Sequence, residues 1–455
     1  MMSIHYPLMY GAFGIWRLVA RPVRYADRLS ADVVGEGRRD IQRSWGENLM
    51  VNMPSRLGVV AALLRRHSQV IIAGLALLAL VGVLVPLVHG NGSAVAGTGQ
   101  ASAASPFSPL VSRGKPVFCA KSNELVGGNN VITSGVYSQD SYWGIANNAL
   151  PSWCAIHVGV GPSRLMVVWY SDYDEDQDRY ISNGRMPQGY TLSVSPNSTN
   201  GRDGDWSVVA TVSGNPAHLR ESVIPFTGEG WVKMTITQAQ DQPTQDTMAI
   251  GQIDCFDVSA SLKNTALFEG DSVTALAFDH STGSDSFDML MHSYNSHLFP
   301  SMLNEGMGGW TSSDAAQNID TWLALNPDIN YWLLGWGTND VLQGVDPVTF
   351  QANMQIVIDK IKAAGHVPVL AHIPPIVDPT TRAPIMTTQI QSLNQVIIAL
   401  TASNHLIPGP DLFASYGANP AKYIRADGIH PNGAGAALIN RAWYYAMRTT
   451  LVANL

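Results

Sequence analysis

The chain is poor in charge and in cysteine. Only 14% of its 455 residues are Asp, Glu, Lys or Arg, and the formal net charge is -8. A mildly acidic chain with no basic stripe in its second half is a poor match for a phosphate backbone, which argues against nucleic acid as a partner. Its three cysteines, Cys119, Cys154 and Cys255, have no Cys-x-x-Cys spacing. No zinc-ligand pattern is therefore present, and one disulfide plus a spare thiol is the simpler reading. Charge is also absent from Val70 to Val88, "VIIAGLALLALVGVLVPLV". That run is long enough to cross a bilayer as a helix.

Arginines crowd the segment before this run, from Arg17 to Arg66, and no charge follows it until Arg113. The positive-inside rule then keeps residues 1–68 in the cytoplasm, spans the membrane with 69–89 and exports the rest. Ala94-Val95-Ala96 and Ala101-Ser102-Ala103 are sites at which a signal peptidase can cut, and a start at Met53 would give the layout of a signal peptide. The expected product is a single-pass membrane protein, or a secreted one if the leader is cleaved. Either faces an oxidising compartment. Residues 90–114, rich in Gly, Ala, Ser and Pro, form a flexible spacer.

From 115 to 260 short alternating runs are separated by Gly, Asn, Asp and Pro, the pattern of an all-β sandwich. Strands are expected at Cys154–Val160, Arg164–Tyr170, Tyr190–Ser195, Trp206–Ser213, Gly230–Thr237 and Ile250–Val258. The segments "PSWCAIHVG", "WVKMTIT" and "IGQIDCFDV" resemble discoidin-like, galactose-binding jelly rolls. In such modules the first and last strands are neighbours, so the resemblance implies a Cys119–Cys255 disulfide with Cys154 buried as a small hydrophobe. Asp172, Asp174, Asp176 and Asp178 alternate as in calcium loops but lack the glycine and distal glutamate of an EF-hand. A solvated loop is the expectation there, with calcium as the alternative and no other cofactor. Tyr142, Trp143 and Tyr180 are open to two readings, sugar stacking and packing.

From 261 to 455 the rhythm becomes strand, loop, helix. Buried strands are expected at Ala266–Phe268, Met302–Asn304, Ile329–Leu334, Val367–His372 and Leu406–Pro408. Helices are expected at Ser286–His297, Ser313–Leu325, Pro347–Ala364, Thr387–Ser403 and Gly433–Leu451. This alternation predicts a three-layer α/β domain with a parallel sheet, whose ligands gather at the carboxyl ends of the strands.

Four motifs fall where those strands end: "GDSVTA" from Gly270, "NEGMGGWTSSD" from Asn304, "GTND" from Gly337 and "DGIHPNGAG" from Asp427. A serine hydroxyl needs a base to take its proton, and His430 is the candidate for Ser272. Asp427, three residues earlier, can hold the imidazole by its other nitrogen. The block order resembles the GDSL/SGNH serine hydrolases over about the last 190 residues. The resemblance implies a flavodoxin-like parallel sheet and an oxyanion hole made by the N–H of Ser272, the N–H of Gly309 and the side-chain amide of Asn339. Gly308 is the alternative glycine. Asp271 and Asp340 are expected to be structural, and His292, His297 and His372 to lie outside the mechanism.

Leu276 stands where the family often has glycine, and Trp310 where a small or acidic residue is frequent. With Trp336 they are the expected substrate-binding residues. The resemblance implies an exported esterase that removes acetyl or other small acyl groups from an acylated polysaccharide. Alternatives are a lipid or aryl esterase, a polysaccharide O-acyltransferase and a non-catalytic glycan-binding surface protein.

Overall fold

The computed structural model describes residues 109–121, 124–135, 142–146, 149–171, 186–239, 247–279 and 285–455. The apolar run Val70–Val88, most of the spacer, Tyr180 and the four alternating aspartates lie outside the described residues. Among the described residues no helix is long and apolar enough to cross a membrane.

The first part of the fold is two five-stranded antiparallel sheets. One contains β1 (Val117–Cys119), β4 (Ser152–His157), β9 (Trp231–Ala239), β6 (Pro187–Ser195) and β7 (Ser207–Val212), in that spatial order. The other contains β2 (Leu125–Val126), β3 (Tyr142–Ala146), β10 (Thr247–Asp257), β5 (Arg164–Ser171) and β8 (Leu219–Pro225). Their facing sides share one core, with Ile156, Leu192 and Met234 from the first sheet against Val167, Trp169 and Ile253 from the second. β8 was not among the expected strands. Arg220 and Glu221 interrupt its apolar alternation, yet Glu221 is buried and accepts the Asp328 N–H at 3.0 Å.

The expected disulfide is corrected. Cys119 lies directly opposite Cys154 in the β1–β4 ladder, Cα to Cα 4.0 Å, and the two are bonded. Cys255 sits on β10 of the other sheet as a buried thiol, its pKa pushed up by burial and by Asp254. The strand β1 pairs with β4, and it is Leu110, ahead of β1, that bridges to Phe256. Bonded cysteines need closely opposed Cβ atoms, which cross-strand partners supply. Trp143 is also core: it is fully buried and donates Nε1–H to Glu124 Oε2 at 3.1 Å, so it presents no face to a sugar.

The second part is a parallel sheet in the order β12 (Leu303–Gly306), β11 (Ala266–Gly270), β13 (Tyr331–Gly335), β14 (Val367–Leu370), β17 (Ile407–Pro408). Alternate residues serve two cores. Ala266 and Phe268 pack with α1 (Ser272–Asp279), α2 (Phe287–Tyr294) and α8 (Gly433–Val452). Leu267, Trp332 and Leu334 pack with α3 (Ser312–Leu325), α5 (Pro347–Ala363) and α6 (Thr387–Ser403). Two shorter helices complete the set with a small hairpin: α4 (Thr338–Gln343), α7 (Leu412–Ser415), β15 (Ile376–Val377) and β16 (Pro384–Ile385). The five expected strands and five expected helices are present, whereas α1, α4, α7 and the hairpin are too short to leave a periodic stripe.

The strand β5 explains how the two parts join. Leu165, Val167 and Trp169 face the sandwich interior, while Met166, Val168 and Tyr170 enter the core of the α/β part beside Leu267, Leu303 and Ile319. A strand buried on both faces has to read as a continuous apolar run, as "LMVVWY" does.

Polar groups are sealed into the same seam. Glu269 of β11 and Glu305 of β12 are register partners and both are fully buried. Burial and the neighbouring Glu305 push the Glu269 carboxyl far above its ordinary range. Burial raises Glu305 to about 8 and Glu221 to about 7, while it lowers His218 to about 4. His218 Nε2 lies 3.6 Å from Glu305 Oε2, a contact between neutral groups around pH 6 rather than an ion pair. The folded chain holds these carboxyl protons more tightly than the unfolded chain, so stability falls as pH rises from the ordinary carboxyl value of 4.5 through about 8. Glu305→Gln removes one titrating group. Its melting temperature is expected to fall less between pH 5 and pH 8 than the wild type's, read by calorimetric scans at both values; equal slopes would refute the buried-proton account.

Candidate active site

In a sheet ordered this way the chain runs from β11 to one neighbour and then crosses to the other, which opens a crevice at their carboxyl ends. Ser272 sits there, two residues past the end of β11 and at the first position of α1. Asp271 fixes the turn between them. It is fully buried, and its carboxylate accepts the Val273 N–H at 2.9 Å and the Thr338 N–H at 3.1 Å, tying α1 to α4. Burial, with Asp340 nearby, raises its pKa to about 6. Asp340 in turn accepts from Ser312 N–H at 3.0 Å and Ser312 Oγ at 2.6 Å, anchoring the start of α3. Both aspartates are bracing groups, in line with the expectation for them.

His430 arrives from the other end of the chain. Its Nε2 is 2.9 Å from Ser272 Oγ, and its Nδ1 is 2.9 Å from Asp427 Oδ2. Asp427 uses its second oxygen to accept the N–H groups of Ile429 at 2.8 Å and His430 at 3.0 Å. Burial by itself would raise the Asp427 carboxyl. These donors and the imidazole outweigh it and hold the group below its ordinary value, so it stays an anion facing Nδ1.

The turn that carries Asp427 and His430 is closed from several sides. Arg425 N–H donates to His430 O at 2.7 Å, and Ile424 bridges to Pro431. Gly428, at φ +85°, accepts the Val377 N–H on its carbonyl at 2.9 Å, and a side chain there would strike Val377 O. Arg382, just before β16, spreads its guanidinium over the carbonyls of Ile424 and Arg425, each at 2.8 Å, and Ala421 at 3.2 Å. Nothing in the sequence marked Arg382 or the hairpin, because their partners lie some forty residues away. Asn432 then caps α8 by accepting from Ala434 and Gly435, which fixes where His430 leaves the helix start.

The expected oxyanion donors lie on the segments that follow β12 and β13. Gly309 is in the left-handed region at φ +80° with open space where a side chain would project. Asn339, on the first turn of α4, donates one Nδ2 hydrogen to Trp310 O at 2.8 Å, which leaves the other. Asn304 sets the loop between them: its side chain donates to Ala275 O at 2.9 Å and accepts the Gly306 N–H at 3.1 Å. The Thr311 and Asp314 capping box then starts α3, a spacing that the sequence displays.

The substrate-binding expectations divide. Trp310 is half-buried beside Gly309, and its ring packs on Trp322 at 5.6 Å. Trp336 and Leu276 are corrected: each is only 2% exposed. Trp336 stacks on the far side of Trp322 at 6.1 Å and belongs to the core, and Leu276 points inward from α1. His372, one of the three histidines set aside, lies 3.1 Å from Asp411 Oδ1.

Arg382 acts only through the loop it holds. Arg382→Ala is expected to lower kcat on a small ester roughly tenfold with KM little changed, since the serine–imidazole alignment loosens while the pocket does not. Arg382→Lys should restore little, because one ammonium cannot bridge the carbonyls that the fork spans. A rise in KM alone would show that Arg382 shapes the pocket instead.

Residues 268–438 match the model of the GDSL-like Lipase/Acylhydrolase family. No curated protein matches the chain. Among solved structures, a putative lipolytic protein of the G-D-S-L family from Desulfitobacterium hafniense is 15% identical, with 40% of this chain and 99% of that one covered and a TM-score of 0.33. A lipase/acylhydrolase from Enterococcus faecalis is 21% identical over 41% of this chain and 96% of that one, TM-score 0.35. An acetylxylan esterase from Geobacillus stearothermophilus is 17% identical over 40% and 94%, TM-score 0.33. The chain thus carries, over residues 268–438, a domain of the GDSL-like lipase/acylhydrolase family of ester-hydrolysing enzymes.

Proposed function

We propose that the chain is an exported serine esterase that removes small acyl groups, acetyl above all, from carbohydrate. The observation that carries the catalytic part is the continuous line from Asp427 Oδ2 through the imidazole of His430 to Ser272 Oγ, with both contacts at 2.9 Å.

Ser272 Oγ attacks the ester carbonyl carbon as its proton passes to His430 Nε2. The carbonyl oxygen becomes an oxyanion facing the N–H groups of Ser272 and Gly309 and the remaining Asn339 hydrogen. Collapse breaks the ester C–O bond, and the alcohol leaves with the proton from His430. Water then repeats the sequence on the acyl-serine, giving its proton to His430 and releasing the acid. Asp427 stays ionised throughout and stabilises the imidazolium in each half.

Two further observations support the finer points. The half-buried Trp310, its ring tilted against Trp322, directly follows the expected oxyanion glycine Gly309, and so bulky a neighbour favours acetyl over a long chain. The Cys119–Cys154 bond suits an oxidising compartment, in keeping with the arginine bias before Val70–Val88.

With p-nitrophenyl acetate, Ser272→Ala is expected to lose at least about a thousandfold in kcat. Asp427→Asn should lose roughly ten-thousandfold, because the amide no longer holds the imidazole tautomer or favours the charged imidazolium. Asn339→Ala should lose about 10²–10³ in kcat, with KM nearly constant. Acetate release from acetylated xylan, set against cleavage of medium-chain p-nitrophenyl esters, tests the substrate: faster cleavage of the longer esters would overturn the acetyl reading.

A further inference from the structure

A groove of about 530 Å³ runs along the carboxyl-end rim of the sheet between α6 and the segments that follow β14 and β17. Its walls are Gln391, Ser392 and Gln395 of α6 on one side and His372, Asp411 and Phe413 on the other. We propose that this groove is a binding subsite for an uncharged glycan chain, which holds the polymer while an acyl group on a neighbouring unit reaches Ser272. The proposal rests on the esterase reading above and names the part of the substrate that the catalytic residues do not touch.

The lining decides the chemistry. Amides and a hydroxyl offer paired donors and acceptors at fixed positions, as a row of sugar hydroxyls requires, and Phe413 adds an apolar surface for a ring face. An acyl tail would leave the exposed glutamines without partners, which argues against a lipid chain. No lysine or arginine lines the groove, and its one carboxylate, Asp411, already faces His372 at 3.1 Å. An anionic polymer therefore finds no counter-charge there.

Position supplies the second argument. His372 follows β14 and Ser272 follows β11, at the same edge of one parallel sheet, with β13 between them. Two strand spacings amount to about 10 Å. That is the reach of a short oligosaccharide, so a chain seated in the groove brings a neighbouring unit over the serine. His372 also lines a small void shared with Val273 and Thr274 of the nucleophile helix and with Trp336, so groove and nucleophile rest on common packing. Asn394, which also borders the groove, is committed elsewhere: it brackets Ile373 by accepting its N–H at 2.7 Å and donating to its carbonyl at 3.1 Å. That pairing holds the β14 segment against α6 and fixes the width of the groove.

The test separates the groove from the chemistry. Calorimetry with the full chain carrying Ser272→Ala measures binding of xylohexaose and cellohexaose, neither of which needs to be hydrolysed. Saturable binding of either is expected, weakened roughly tenfold by adding Gln391→Ala and Gln395→Ala, in keeping with the loss of a few hydrogen bonds. In the catalytically intact chain the same pair of substitutions should raise KM for acetylated xylan about tenfold and leave turnover of p-nitrophenyl acetate unchanged. No binding of either oligosaccharide, or binding that the double substitution leaves intact, overturns the subsite. Loss of p-nitrophenyl acetate activity in the double variant also overturns it, because exposed residues of a distant subsite do not move the small-ester reaction. Failure of Ser272→Ala to abolish ester cleavage would sink the esterase reading instead, and the binding measurement would still decide the groove.

Discussion

The contact between Ser272 Oγ and His430 Nε2 joins residues 158 positions apart, and most of the α/β part can be read as what holds it. A hydroxyl and an imidazole within hydrogen-bond reach need both backbones fixed to a fraction of an ångström. On the serine side this comes from buried carboxylates: Asp271 ties α1 to α4, and Asp340 ties α4 to α3. On the histidine side it comes from backbone carbonyls gathered by Arg382 and from the Val377–Gly428 bond. One flank is braced from the core outward, the other by a cation laid across a surface turn.

The sandwich is packed against the same sheet rather than tethered to it. Its strand β5 lends one face to the α/β core, and His218 and Glu221 reach into the seam where Glu269 and Glu305 are buried. Glu269 is three residues before Ser272, so the seam and the candidate active site share β11. Neutral carboxyls in such a place are tolerated only while they keep their protons, which makes the docking of the two parts sensitive to alkaline pH.

Much of this was legible in the residues. The parallel strands showed as short apolar runs and the long helices as periodic stripes with Pro347 and Gly365 at their borders, because burial on two faces or on one face leaves different patterns. Ser272 and Asn339 stood out because their blocks follow strands, and Asp427 and His430 because theirs precedes the last helix, all in the expected order. Other assignments did not survive folding. The jelly-roll resemblance implies a Cys119–Cys255 pair by making the first and last strands neighbours, but β1 joins the sheet of β4. Trp336 and Leu276 lie beside the motifs in sequence, yet their side chains turn into the core.

The sequence by itself determined the class of each part, the order of the strands and helices along the chain, and the candidate reactive groups, since periodicity and side-chain chemistry are local properties. Only the tertiary structure decided which cysteines bond, which aromatic rings reach the site, that Arg382 clamps the histidine turn, and that the sandwich shares a core with the hydrolase sheet. Each of those depends on which face of an element meets which neighbour. A one-residue change in register or in strand order reverses that outcome without altering any local pattern.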